Sequence, residues 1–309
     1  MAKNLLNILI YHRVLPANDE LNPGDVDIYT FTKQMKWVSK LFNVLSLEEA
    51  VQKISTNSLP QRALCITFDD GYRDNYTNAL PILKAFGLTA TFFVATGFLN
   101  GGIMWNDVVI ESIRNTESNN LDLTKFDMNV YHFDKGKNSA IKEILQDLKY
   151  LPLEKRSSVV ESLPIILDSK VPDNLMMNDG DVKEMYQSGM GVGGHTKSHP
   201  ILSSLDIKNA ENEIVEGKNY LENLLDARVD LFAYPNGKPY HDYGYDHITI
   251  LKKYGFKAAV STSWGVASPD SDLYQLPRFT PWDTLLPKFL ARLVITRFSK
   301  QKNIVKSYA

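Results

Sequence analysis

Asp69 and Asp70 stand side by side after the apolar run Ala63-Leu64-Cys65-Ile66, with Thr67 and Phe68 between and Gly71 behind. Two like charges this close raise each other's energy unless something compensates them. A second stretch, GVGGHTKSHP at residues 191–200, sets His195 and His199 four positions apart. At helical or turn spacing both imidazoles can reach one ion. Two histidines and one carboxylate make a ligand set that leaves positions open for water and substrate. A divalent cation, zinc foremost, would neutralise one aspartate and leave the other ionised beside it as a base. The alternative is a loop in which His195 and His199 merely hydrogen-bond locally. The paired carboxylates at a strand end, in a chain with six histidines, favour the metal.

The elements that must hold these residues alternate. Strand-like runs are expected at 6–12, 64–68, 90–94, 231–233, 258–261 and 274–279. Helical spacing is expected at 31–41, 76–86, 207–225 and 248–254, the second and fourth followed by Gly87 and Gly255. Ser46 with Glu49 three positions later matches a capping box and starts a helix to Ile54. Such alternation predicts an α/β fold around a mostly parallel sheet or barrel, with chemistry at the carboxyl ends of the strands. Asp69, Asp70, His12, residues 191–195 and residues 233–237 all fall at such ends. The interval 100–180 breaks the pattern and reads as a helical insertion. The expected organisation is one catalytic domain over 1–285 and a basic amphipathic segment over 286–309.

The 309 residues are 44% hydrophobic and 23% charged, with a net charge of −2, which gives no reason to expect a nucleic-acid partner. The single cysteine, Cys65, excludes an intrachain disulfide and reads as a small core residue. Residues 5–10 are apolar but interrupted by Asn7 and lead into Tyr11-His12-Arg13, so they read as a first strand and not a secretion signal. No segment approaches the ~20 apolar residues of a membrane span. The expectation is a soluble, cytoplasmic chain. From 287 to 309 it carries Lys288, Arg292, Arg297, Lys300, Lys302 and Lys306 and no acidic residue, with Phe289, Leu290, Leu293, Val294 and Phe298 between them. A basic amphipathic helix of this kind can lie on the inner face of an anionic membrane; the alternative is a terminal helix docked on the barrel.

TFDDG at 67–71 and HTKSH at 195–199 resemble the first two motifs of the polysaccharide deacetylases, carbohydrate esterase family 4, also called the NodB-homology domain. The resemblance runs from about Ile8 to Phe279, apart from the insertion. It implies a distorted (β/α) barrel and metal-dependent removal of N- or O-acetyl groups from an N-acetylated saccharide. By motif, Asp70, His195 and His199 would bind the metal and Asp69 would be the general base. Two departures stand out. The third motif usually begins with arginine, whereas this chain has FAYPNG at 232–237, a form resembling the branch that includes biofilm poly-N-acetylglucosamine deacetylases. There Asn236 is the candidate oxyanion donor, although a plain Pro-Asn-Gly turn would also explain these residues. The missing arginine falls to Arg278, whose alternative is a surface charge at a strand end. The late histidine that would protonate the leaving amine is also absent. In a permuted arrangement His12, in ILIYHRV, takes that place; otherwise it only hydrogen-bonds at a strand end.

Tyr11, Trp105, Tyr234 and Trp264 are candidates to stack on sugar faces, against the commoner role of aromatics in the core. The leading function is a metal-dependent sugar N-deacetylase. The alternatives are a hydrolase of a non-sugar amide on the same fold and a carbohydrate-binding protein with a degenerate site.

Overall fold

The computed structural model describes residues 4–281, 283, 285–296 and 304–306. The chain forms two compact units, one of Met1–Asn18, Gly24–Asn100 and Met177–Ala309, the other of Asp19–Pro23 and Gly101–Met176.

The larger unit is built on a parallel sheet. Its strands lie in the order Leu6–Tyr11, Ala63–Phe68, Thr91–Val94, Gly191–Gly194, Leu231–Ala233 and Ala258–Val260, and Asn43–Val44 also pairs with Ala63–Phe68. The register aligns their carboxyl ends: Tyr11 pairs with Phe68, Phe68 with Phe92, Val94 with Gly194, and Gly194 with Phe232. His12, Asp69, Asp70 and His195 therefore emerge at one rim. Side chains alternate across the strands. Leu6, Ile8, Ala63, Cys65, Ala233 and Val260 fill one core, whereas Leu9, Tyr11, Leu64, Ile66 and Phe68 pack with Phe31, Met35, Phe289 and Leu293 of the helices Ile28–Leu41 and Leu286–Thr296. Burial on both faces explains why these strands read as near-continuous apolar runs.

Residues 274–279 are not the single strand their composition predicts. Leu273–Gln275 is a 3-10 turn, and two isolated bridges follow. Leu276 donates to Ala259 and accepts from Ser261, whereas Phe279 donates to Ile8 and accepts from Ile10. Pro277, which has no N–H to offer a ladder, separates them. The segment thus spans from the last strand to the first and closes the sheet into a distorted (β/α) barrel. The expected helix at 76–86 also differs in detail. It opens with a π turn, Asn75–Ala79, before the α-helix Leu80–Ala85.

The smaller unit has its own core, with Val109, Ile113, Leu121, Tyr131, Ile144 and Leu163 at its centre. It holds helices Trp105–Arg114, Lys137–Lys149 and Leu153–Ile166 and an antiparallel ribbon, Asn120–Asp122 with Val130–His132, which a purely helical reading of this region lacks. The Arg114 guanidinium forks onto Asp19 at 2.6 and 3.1 Å. Among the described residues no helix is long and apolar enough to cross a membrane. Of the basic residues expected to mark the C-terminal segment, Arg297, Lys300 and Lys302 lie outside the described residues, as does Phe298.

Candidate active site

The two adjacent aspartates point to different partners because the backbone turns between them. Asp69 still follows the strand, its N–H donating to Tyr11 at 3.0 Å. Asp70 adopts φ +76°, a left-handed conformation uncommon for a residue with a Cβ. Strain of this kind persists where the surrounding structure over-determines it. Here it swings the Asp70 carboxylate toward the histidines. Asp70 Oδ1 lies 3.3 Å from His195 Nε2 and 3.4 Å from His199 Nε2. One ligand atom from each of the three residues lies within 4.8 Å of the others.

The hydrogen bonding around His195 says what belongs between them. Its Nδ1 lies 2.7 Å from the carbonyl of Ala233. A carbonyl only accepts, so Nδ1 carries a proton. In the neutral imidazole, Nε2 then turns a lone pair toward the Asp70 carboxylate. Two acceptors facing each other need a cation between them, either a proton or a metal. This donor set fits a divalent metal ion. The three residues also act on one another's charge. Burial pushes Asp70 up, but the nearby histidines outweigh it and hold the carboxyl below its ordinary range. Burial opposes protonation of His195, yet the bond to Asp70 and both carboxylate fields raise its pKa. His199 is lowered to about 4, chiefly by burial.

Asp69 is paired separately. Arg278 Nη1 and Nη2 each reach one of its oxygens at 2.7 Å, the bidentate fork typical of arginine and carboxylate. Arg278 is 1% exposed, so it is not a surface charge. Its Nε donates to the Ser261 carbonyl at 3.0 Å and Nη1 also meets Thr67 Oγ1 at 3.2 Å. Burial alone would raise the pKa of Asp69, but the guanidinium overcomes it and holds the carboxyl below the ordinary value.

His12 follows the first strand and is half-buried. Tyr11, just before it, pairs with Phe68, just before Asp69, which places His12 on the same rim as the aspartates. The turn that carries it is pinned by the same stretch that supplies the aspartates. Asn75 Nδ2 donates to the His12 carbonyl at 2.8 Å. Asp74 accepts from Arg13 Nε at 2.8 Å and from the Val14 N–H at 3.0 Å. Asp25 lines a small cavity with His12, and burial raises its pKa to about 6. Neither Asp74 nor Asp25 was singled out from the sequence. Asp74 offered a signal, lying a few positions after the paired aspartates; Asp25 offered none.

Asn236 sits in a turn at φ +59°, next to Gly237 at φ +72°. Among the described residues nothing accepts from its backbone N–H, while its carbonyl takes the Thr262 hydroxyl at 2.7 Å. The aromatic candidates separate clearly. Tyr234 is 0% exposed, stacks on Tyr243 with centroids 3.8 Å apart and donates to the Tyr274 carbonyl, so it has no face to offer a sugar. Tyr11 is likewise a core residue, bonded to Gln34. Trp264 is 36% exposed and leans edge-on against Phe279. Trp105 belongs to the smaller unit, where the Arg156 guanidinium lies 5.0 Å over its ring.

A family model described as "Polysaccharide deacetylase" matches residues 56–116 and 124–259. A poly-beta-1,6-N-acetyl-D-glucosamine N-deacetylase of Staphylococcus aureus is 28% identical over 295 residues, spanning 94% of this chain and 78% of that protein. Among solved structures, the Streptococcus pyogenes deacetylase PplD, in complex with acetate, matches with a TM-score of 0.64 at 22% identity, over 94% of this chain and 99% of that one. IcaB from Ammonifex degensii matches with a TM-score of 0.63 at 19% identity, over 95% and 97%. These two likenesses concern the fold and agree with a barrel of the NodB type.

Proposed function

The chain belongs to the polysaccharide deacetylase family, and from that premise we propose that it removes N-acetyl groups from an amino sugar in a poly-, oligo- or lipid-linked saccharide, with the help of a divalent metal. The observation that carries this reading is the pair of adjacent, differently paired aspartates: Asp70 with two histidines, Asp69 with a buried arginine. Asp70, His195 and His199 would hold the metal, and zinc suits one carboxylate and two imidazoles. Bound there, the ion would polarise the acetyl carbonyl and lower the pKa of water.

The remaining steps belong to the protein's own side chains. Asp69, kept ionised and aimed by Arg278, takes the proton of the attacking water. The Asn236 N–H donates to the carbonyl oxygen as negative charge develops on it. His12 gives a proton to the sugar nitrogen as the C–N bond breaks, so acetate and a free amine leave. Trp264 is the aromatic with surface to offer a sugar face. The names of the staphylococcal relatives favour a β-1,6-linked N-acetylglucosamine polymer as the substrate class, which would place the reaction in exopolysaccharide synthesis. The helix Leu286–Thr296 would bring the enzyme to an anionic membrane surface where such a polymer is handled.

The test is acetate release from β-1,6-linked N-acetylglucosamine oligomers, before chelation, after it, and after zinc is restored. Release that disappears and returns supports the proposal. Zinc binding without acetate release would redirect the search to other amides. A protein that binds oligomers but neither zinc nor releases acetate would be a binding module. His195→Ala should lose zinc and turnover together, and stoichiometric zinc in that variant would refute the ligand set.

A further inference from the structure

The turn that carries both histidines, residues 195–199, is organised around a carboxylate that the chemistry above does not use. Glu213 lies on the helix Ile207–Leu225. Its Oε2 accepts from the backbone N–H groups of Lys197 at 3.0 Å and Ser198 at 2.8 Å, and its Oε1 accepts from Ser198 Oγ at 2.6 Å. Two residues of this turn hold left-handed backbone angles, Thr196 at φ +64° and His199 at φ +54°. Left to itself, a turn with two such residues would relax. Close packing surrounds it as well. A Cβ on Gly217 would come 2.8 Å from the Thr196 carbonyl, and one on Gly97 would come 2.8 Å from the Lys197 oxygen.

The two histidines are not held alike. His195 is anchored through Nδ1 on Ala233. His199 Nδ1 is buried and has no hydrogen-bond partner among the described residues. A metal-ligating histidine usually fixes its ring by donating from its other nitrogen. The backbone must do that work for His199. Its N–H donates to Thr196 Oγ1 at 3.0 Å, and the turn containing both residues is fastened to the helix by Glu213.

The geometry points to Glu213 as a positioning residue that replaces the missing outer partner of His199, keeping its Nε2 aimed at the point it shares with Asp70. This rests on the proposed metal site and adds to it the element that sets its affinity.

Zinc titrated into chelator-stripped protein, in competition with a chromophoric chelator, tests this apart from activity. Wild-type protein that fails to take up zinc refutes the metal site itself. If wild type binds, Glu213→Ala should bind about 10–100-fold more weakly, the usual loss when an outer partner is removed, with an unchanged far-ultraviolet circular dichroism spectrum. Glu213→Gln should restore affinity to within about threefold of wild type, because an amide oxygen can accept both N–H groups and its NH2 can donate to Ser198 Oγ. Wild-type affinity in Glu213→Ala, or a Glu213→Gln as weak as the alanine variant, would overturn the positioning role. If the alanine variant does not fold, Ser198→Ala removes one of the three bonds and should weaken zinc severalfold; no change there would overturn the role equally.

Discussion

As the proposed base, Asp69 owes its low pKa chiefly to Arg278 beside it. Burial favours the protonated acid, and the guanidinium reverses that preference. Replacing the cation by Arg278→Gln removes the largest influence favouring the charged form, so the pKa should rise and the proposed base should become protonated at higher pH. The acidic limb of the kcat/KM profile is expected to move up by about 1–3 pH units, the usual influence of an adjacent arginine. A limb that stays in place would separate Arg278 from the base. His12 concerns the opposite limb, since an acid must be protonated to act. His12→Gln should lose roughly 10²–10⁴-fold in kcat, the range for one acid or base, and flatten the basic limb while zinc stays bound. A kcat within threefold of wild type would remove His12 from the reaction. Asp69, Asp70, His195 and His199 could be read from the sequence because each pair lies within a few positions. Arg278 meets Asp69 across 209 positions, so its candidacy came from chemistry and its burial only from the fold. Tyr234 looked available because nothing in FAYPNG reveals that Tyr243 covers its ring. Glu213 had no signal, since a glutamate on an amphipathic helix looks the same whether it faces water or a turn.

At the level of elements, apolar runs marked most strands because both faces are buried, although Asn7, Thr67 and Thr91 are buried polar residues within them. Residues 274–279 misled because Tyr274, Leu276 and Phe279 interleave with other residues there as they would in a strand. Their hydrogen bonds, however, go to two different strands. The helix Leu286–Thr296 raises a separate question. Its inner face, with Phe289 and Leu293, is buried, yet Val294 and Ile295 on its outer side are 55% and 62% exposed, with Leu285 just before it. Lys288 is exposed alongside, and Arg292 is tied to Asp283 at 2.6 and 3.0 Å. Exposed aliphatics flanked by cations suit the boundary between headgroups and acyl chains. Replacing Val294 and Ile295 together by aspartate should cut co-sedimentation with anionic liposomes about tenfold or more, while acetate release from soluble oligomers stays within twofold. Equal co-sedimentation of the two proteins would remove the membrane role.

For the molecule as a whole, the proposed metal acts as a ligand of the folded state. Zinc at about 100 times its Kd would stabilise that state by about 2.7 kcal/mol by mass action. For a chain of 309 residues this corresponds to roughly 4 °C in Tm. Chelation should lower the melting temperature by that amount and zinc should restore it, with no such response in His195→Ala. An identical chelator response in that variant would place the ion elsewhere. The α/β class was legible because strands and helices alternate along most of the chain. The boundaries of the smaller unit were harder to see, because Asp19–Pro23 joins it from far away in sequence through Arg114.

The closing segment also sets an order of events as the chain leaves the ribosome. Asp70, His195 and His199 have all been synthesised by residue 199, whereas the strap at 276–279 comes nearly eighty positions later. Contacts so distant along the chain are the slowest to form, since the long loop between them must be ordered first. The three residues proposed to hold the ion would therefore be able to gather while Asp69 still lacks its guanidinium. On the proposed roles, the capacity to hold metal would precede the competence to hydrolyse, and the segment that closes the sheet is also the one that brings the base its guanidinium.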